Sequence, residues 1–376
     1  MRSCVVVALA LAIAPSIGFA QCFKLAEVNA ETPEGQLLQQ IGQESDEAKK
    51  LALMEKFAAA HPKHEAAGWV YEQAQAAYVK AGSPDKVIET GDKILALAPD
   101  CVESAHQGLK AAEARKDPDL IRTWSGRTSE AALKVVSAPK PSAEDEVETW
   151  KNRADWARQV NTYTEYALYA AALQAAEPAK RIELLEALQA RNAQSEYLAK
   201  AWGPLFLAYR QTGANDKAIE LGEKVLAADQ SDPDMLIVVA SDYLAKKKEP
   251  DKVHAYAARV VEVVGAQPKP EGVADADWEK RRVLMLGTAR FMSGALYYAQ
   301  SRWPQADQQL REALPLLSDP QLKAEALYYM GFANYKMEKG QEAANYFRQC
   351  AAIKSRFQAM ANKNLQGVRR EFRGIK

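Results

Sequence analysis

The sequence lacks most of what marks a catalytic chain. It has 4 His and 4 Cys in 376 residues, and no Cys-x-x-Cys, His-Glu-x-x-His, Gly-x-Ser-x-Gly or Gly-x-x-x-x-Gly-Lys-Ser/Thr motif. No catalytic residue, metal site or cofactor is therefore assigned. His61 and His64 are the only close histidines, and they sit in a loop without Cys or paired carboxylates to complete a metal shell. The acidic run Glu144-Asp145-Glu146 reads as the solvated start of a helix, where carboxylates favour the dipole. Charge of one sign is missing too: Lys+Arg and Asp+Glu both number 49, so nothing draws the chain as a whole to nucleic acid. The basic end, with Arg369, Arg370, Arg373 and Lys376, reads as the complement of a helix C-terminus. Glycine and proline are sparse, at 19 and 17, and β-branched runs are few. Ala and Leu dominate the apolar 48%, a composition that favours helices over sheets.

Long hydrophobic runs are absent beyond the first residues. Arg2 is followed by an apolar run from Val5 to Ala14, then by Pro15, Ser16 and the small residues before Gln21. Residues 1–20 are expected to be a secretory signal peptide cleaved after Ala20. No later stretch is apolar for long enough to span a bilayer. A periplasmic or secreted mature chain is the expectation. Cleavage removes Cys4 and leaves Cys22, Cys101 and Cys350. Two fates stay open for Cys22: a disulfide to Cys101, or a lipid anchor, although bulky Gln21 fits a lipidation box poorly. Cys350 is expected free and buried in a late helix.

Self-similarity is the strongest positive signal. Tyr71 to Asp100 reads as a helix, a Gly-Ser-Pro-Asp turn and a second helix, and Trp202 to Asp229 repeats that order around Gly-Ala-Asn-Asp. Trp202, Leu205, Tyr209 and Ala218 in one copy, Tyr71, Tyr78 and Pro99 in another, and Leu327, Met330, Gly331, Ala343 and Phe347 in a third resemble the tetratricopeptide (TPR) pattern W-x2-L-G-x2-Y, A-x3-F, P. A further copy surrounds Gly294, Tyr297, Ala306 and Ala313, and weaker ones run over 31–64, 101–134, 162–195 and 235–265. Phe206 and Gly222 depart from the pattern. Pro204 is expected to start its helix late or to kink it. The proline-containing stretches 137–144 and 266–274 divide the repeats into segments 21–136, 145–265 and 275–376, the last closed by a capping helix over about 354–372.

The resemblance to exported bacterial-type TPR proteins implies an all-α fold: an α-solenoid, a right-handed superhelix of antiparallel helix pairs, following the leader. It also implies a groove lined by the first helix of each pair. On that register the partner-binding residues are Tyr163, Tyr166, Leu207, Arg210, Phe291, Tyr298, Tyr328, Phe332 and Tyr335, with 291–335 the preferred region. Aromatic rings at helical spacing also suit a core. The clamp of two Lys and two Asn that family members use on a C-terminal carboxylate is not recognisable. The implied function is a non-enzymatic scaffold in the cell envelope that holds a protein or peptide, with neither nucleic acid nor a membrane span involved. Its rivals are a structural part of an envelope assembly anchored through Cys22, and an enzyme with an unrecognised site.

Overall fold

Helix starts are written into the sequence as Asp-Pro pairs. Asp117, Asp232 and Asp319 each accept a hydrogen bond from a backbone amide two residues on, while the following proline opens the helix. Proline fits there because its missing N–H would have had no partner in the first turn.

The computed structural model describes residues 22–25 and 28–372; the expected signal peptide, Arg373 and Lys376 lie outside them. Among the described residues there are 17 α-helices and no strand. They are α1 (Pro33–Gln43), α2 (Glu47–Ala60), α3 (Ala67–Lys80), α4 (Pro84–Leu97), α5 (Val102–Ala114), α6 (Pro118–Ser137), α7 (Glu144–Gln174), α8 (Pro178–Arg191), α9 (Glu196–Gln211), α10 (Asn215–Leu226), α11 (Pro233–Lys246), α12 (Pro250–Ala266), α13 (Asp275–Ala299), α14 (Trp303–Ala313), α15 (Pro320–Lys336), α16 (Gly340–Ala351) and α17 (Gln358–Glu371). None is long and apolar enough to cross a membrane.

The chain divides into two compact units, with the division between Ala208 and Tyr209, inside α9. From α1 to α8 in unit 1 and from α10 to α17 in unit 2 each helix packs on the next in sequence, and first helices of successive pairs also touch: α3 on α5 and α5 on α7 in unit 1, α11 on α13, α13 on α15 and α15 on α17 in unit 2. Each unit is by itself a TPR-like stack of antiparallel helix pairs, each repeat meeting its neighbours.

Six of the hairpin turns share one conformation. Gly82, Lys116, Gly213, Lys247, Ser301 and Glu338 all have positive φ. Residues 82 and 116 stand one repeat apart, as do 213 and 247, and only two of the six turns use glycine. The left-handed conformation costs any other L-residue about 1–2 kcal/mol, so packing of the two helices imposes it.

Inside the hairpins, a small residue on the first helix meets a large one sixteen positions later. A Cβ added to Gly108 would lie 2.2 Å from the Trp124 ring, one on Gly294 would lie 2.5 Å from Leu310, and one on Gly331 would lie 2.7 Å from Phe347. In the α3–α4 hairpin the sizes are exchanged: Gln75 faces Gly91, with its Nε2 3.0 Å from where a Cβ would stand. Gln75 is buried and satisfies that amide by donating to the Val87 and Ser104 carbonyls.

Pro204 does not delay its helix, because α9 begins at Glu196 and runs through it. Leu198, Ala201, Leu205 and Ala208 are fully or almost fully buried along one side, and their packing outweighs the hydrogen bond that proline cannot make. The capping helix is shorter than expected, starting at Gln358, with Phe357, Leu365 and Val368 buried and Met360 exposed. Cys22 is bonded to Cys101, with Cα atoms 5.7 Å apart. Cys350 is free and buried. Burial pushes its thiol up to about 11, and the thiol donates to the Ala324 carbonyl at 3.2 Å.

Candidate functional site

The first helices of unit 2 carry a continuous run of rings. Tyr328, Phe332 and Tyr335 follow one another at four and three residues on α15, the spacing that keeps side chains on one helix face. Next to them Tyr329 stacks on Tyr298 of α13, with centroids 4.1 Å apart and planes 20° from parallel. Phe332 and Trp303 meet the Tyr298 ring edge-on at 5.7 Å each, and lie 5.8 Å from one another. Tyr335 continues the run to Phe372, while Tyr328 turns the other way to Phe357 and Phe347. Offset and edge-on contacts of this kind suit the quadrupoles of the rings.

Most of these rings are neither buried nor free. Tyr298, Trp303, Tyr328, Tyr329, Phe332 and Tyr335 each keep part of their surface in solvent. Three polar tips are fixed: the Tyr329 hydroxyl donates to Glu325 at 2.6 Å, the Tyr335 hydroxyl to Glu371 at 2.7 Å, and the Asn364 amide donates to the Tyr328 oxygen at 3.3 Å. Burial, and to a lesser degree Tyr328, pushes the Tyr298 phenol up to about 12. Burial, with the bond to Glu325, raises the Tyr329 phenol as well, so both remain donors at neutral pH. Lys336 lies over Phe332 and Tyr335, and Arg356 over Phe357. Arg356 is paired with Glu325 at 2.8 Å, so the face is aromatic at its centre and carries charges of both signs at its rim.

Phe291 is not part of it. The side chain is 8% exposed and packs in the core of unit 2 with Leu310, Leu327 and Met330. Seven residues, about two turns of α13, separate Phe291 from Tyr298 and keep them near one helix face, so the packing of neighbouring helices and not the register decides which of the two is covered.

Unit 1 has a second aromatic row. Tyr163 lies 5.3 Å from His106 and 5.9 Å from Tyr166, Tyr166 lies 5.7 Å from Tyr197, and Tyr169 closes on Tyr197 from its other side at 5.8 Å. Tyr166 is 43% exposed. Lys110 caps the Tyr163 ring and donates to its oxygen at 3.1 Å, and that hydroxyl donates to Glu113. Burial first, then Glu113, raises the Tyr163 phenol. His106 stands behind the row with Nε2 enclosed and without a hydrogen-bond partner. Burial and nearby Lys110 lower its basicity, so the ring is neutral.

Leu207 and Arg210 join neither row. Leu207 is 51% exposed on α9, and Arg210 donates to Asn215 at 2.6 Å. Trp303, Tyr329, Tyr169, Tyr197 and His106 do belong to the rows, although their sequence positions did not single them out. Tyr329 adjoins Tyr328, and only the approach of α13 shows that both flank one surface. His61 and His64 pack against Phe57, at 5.3 and 5.5 Å.

Neither a family model nor a curated protein matches the sequence. Among solved structures the chain is similar to one in the APC/C hetero-tetramer Cut9-Hcn1, at 14% identity over 90% of this chain and 56% of that one, with a TM-score of 0.32. It therefore spans little more than half the length of that chain. It is also similar to the TPR domain of P58(IPK), at 13% identity over 90% of this chain and 98% of that one, TM-score 0.27. Yeast Tom70 gives 13% identity over 94% and 67%, TM-score 0.35. Likenesses this loose do not bear on the site.

Proposed function

We propose that the protein is a non-enzymatic scaffold that holds an apolar segment of a partner protein on the aromatic face of α13 and α15, and that it works outside the cytoplasm. One observation carries the binding reading: the rings of Tyr298, Trp303, Tyr329, Phe332 and Tyr335 form one run on the first-helix side of unit 2 and stay half-buried. Pre-positioned aromatic rings add contact area at little cost in side-chain entropy. They suit an extended or helical segment with large apolar side chains, while Lys336 at the rim favours an acidic residue beside them. The extracytoplasmic placement is supported by the leader-like first residues and by the bond between Cys22 and Cys101, since oxidising compartments preserve such bridges.

The test is affinity capture from envelope extracts with the wild-type chain and a Phe332→Ala/Tyr335→Ala variant that keeps its helical circular dichroism. Loss of a specific captured protein by the variant, while Leu133→Ala keeps it, is the expected outcome. Equal capture by wild type and the Phe332→Ala/Tyr335→Ala variant removes the assignment to this face.

A second reading, as a structural part of a larger assembly joined through its second helices, is favoured by the surface of α4 and α6. There Leu97 and Leu133 are half exposed, close to a cleft of about 330 Å³ lined by Asp92, Leu95, Pro99, Arg127 and Lys134. Loss of capture by Leu133→Ala alone would select it.

A further inference from the structure

Apart from the aromatic faces, one dense cluster of chemically able groups stands among the described residues, where the chain first folds onto α3 and α5. Phe23 lies over Gly68, so close that an added Cβ would come within 2.3 Å of the ring. The amides of Cys22 and Phe23 donate to the two oxygens of Glu72, at 2.7 and 3.2 Å. Cys22 is then fastened to Cys101 of the α4–α5 junction. Around the two sulfurs stand two carboxylates: Glu72 Oε1 is 3.7 Å from Cys101 Sγ, and Glu103 Oε2 is 3.3 Å from Cys22 Sγ. Cys101 and Glu103 are buried.

Carboxylates are poor neighbours for a disulfide. A bridged sulfur has no hydrogen to donate and is a weak acceptor, so enclosing anionic oxygens beside it carries a desolvation cost without return. The two backbone amides hold Glu72, and Glu103 stands in the first turn of α5, where its own amide and the charge of Arg153 favour its carboxylate. Both carboxylates gain a further partner when the sulfurs are reduced. A thiol donates to a carboxylate, and two thiolates with a carboxylate form a donor set for a thiophilic cation. The two sulfurs and a Glu72 oxygen already lie within 4.8 Å of one another, a spread that small side-chain rotations bring to tetrahedral coordination.

We propose that, when the bridge is opened, Cys22, Cys101 and Glu72 hold a zinc-type divalent cation, so that one clasp is closed either by a disulfide or by a metal. Glu103 lies outside this ligand set and orients Cys22. Opening breaks the S–S bond and takes two electrons and two protons from a dithiol, which leaves as its own disulfide; the cation then releases the two thiol protons to solvent. In both states residues 22–23 stay on α3, and with neither they are released. The inference is independent of the aromatic face.

The full chain is reduced with a dithiol, freed of it by anaerobic desalting, and titrated with Cd²⁺ and with Zn²⁺. The readouts are the thiolate-to-cadmium charge-transfer band in the ultraviolet and the heat of binding. Reduced wild type is expected to take up one ion per chain with the band, and the oxidised protein none. Cys22→Ser and Cys101→Ser each abolish the band, and Cys350→Ser keeps it. Glu72→Gln weakens binding, and Glu103→Gln lowers affinity about tenfold, as loss of an outer partner does. The proposal is overturned if reduced wild type shows no more uptake than the Cys22→Ser/Cys101→Ser variant, or if Cys350→Ser removes it. Should reduction itself melt the helices, recovery of the helical signal with Zn²⁺ supports the clasp, and failure to recover overturns it.

Discussion

Units 1 and 2 stack the same hairpins but hold them with different chemistry. Between α6, α7 and α8, unit 1 buries hydroxyls: Ser125 donates to the Thr164 carbonyl at 2.8 Å, Thr128 to the Ala105 carbonyl at 2.9 Å and Ser129 to Asn161 at 2.6 Å. Arg191 donates to Ser125 and Thr164 from the other side. Unit 2 buries Ser293, Asp307 and Asn334, and otherwise closes on rings and aliphatic groups around Phe347, Met330 and Leu310. Unit 1 also carries the Cys22–Cys101 clasp, whereas the cysteine of unit 2 is free. Directional polar contacts and a crosslink fix register in one unit. In the other, shape complementarity does so, and the rings that supply it also reach the surface. That is why the proposed binding face is placed in unit 2: its aromatic packing extends outward, while the buried hydroxyl contacts of unit 1 are between groups that must stay away from solvent.

The sharpest way to break this comparison is to remove the large partner of each glycine. Trp124→Ala and Phe347→Ala are each expected to cost about 3–5 kcal/mol in chemical denaturation. A much smaller loss for Trp124→Ala would mean that the hydroxyl network alone sustains unit 1. Next, Cys22→Ser is expected to cost about 2–4 kcal/mol, because it frees a crosslink between residues 79 positions apart, while Cys350→Ser costs less. Equal losses would show that the clasp does not set the units apart. Turn substitutions test what the units share: Lys116→Gly should stabilise, and Gly82→Ala destabilise, by about 1 kcal/mol each.

The smallest effect concerns pH. Burial and Lys110 hold His106 below its ordinary 6.5, so the folded form resists protonation more than the unfolded chain does. The resulting stability is complete above 6.5 and is lost as pH falls through the lowered value. His106→Phe should flatten the dependence of the melting temperature on pH below 6.5. An unchanged slope would place the acid sensitivity elsewhere.

Much of the fold was readable from repetition. Gly294 and Gly331 recur in matching copies of the repeat, and the Gly-Ser-Pro-Asp and Gly-Ala-Asn-Asp turns mark where paired helices meet; both act through local geometry that a short stretch specifies. Other features left weak traces. Lys116, Lys247, Ser301 and Glu338 adopt the left-handed turn without the glycine that would have signalled it. Phe291 and Tyr298 look alike as sequence, yet the first is core and the second is surface. The aromatic face was legible as a region, through Tyr328, Phe332 and Tyr335, but its completion by Tyr329 and Trp303 depends on how α13 approaches α15.

By itself the sequence determined that the described chain is helical, that its helices pair, and roughly where each pair turns, because propensity, capping and period act over a few residues at a time. Tertiary structure decided which aromatic rings stay in contact with water, that Cys22 reaches Cys101, and that two carboxylates stand beside their sulfurs. Those outcomes depend on segments far apart in the chain arriving at the same place, and the local pattern holds no record of that meeting.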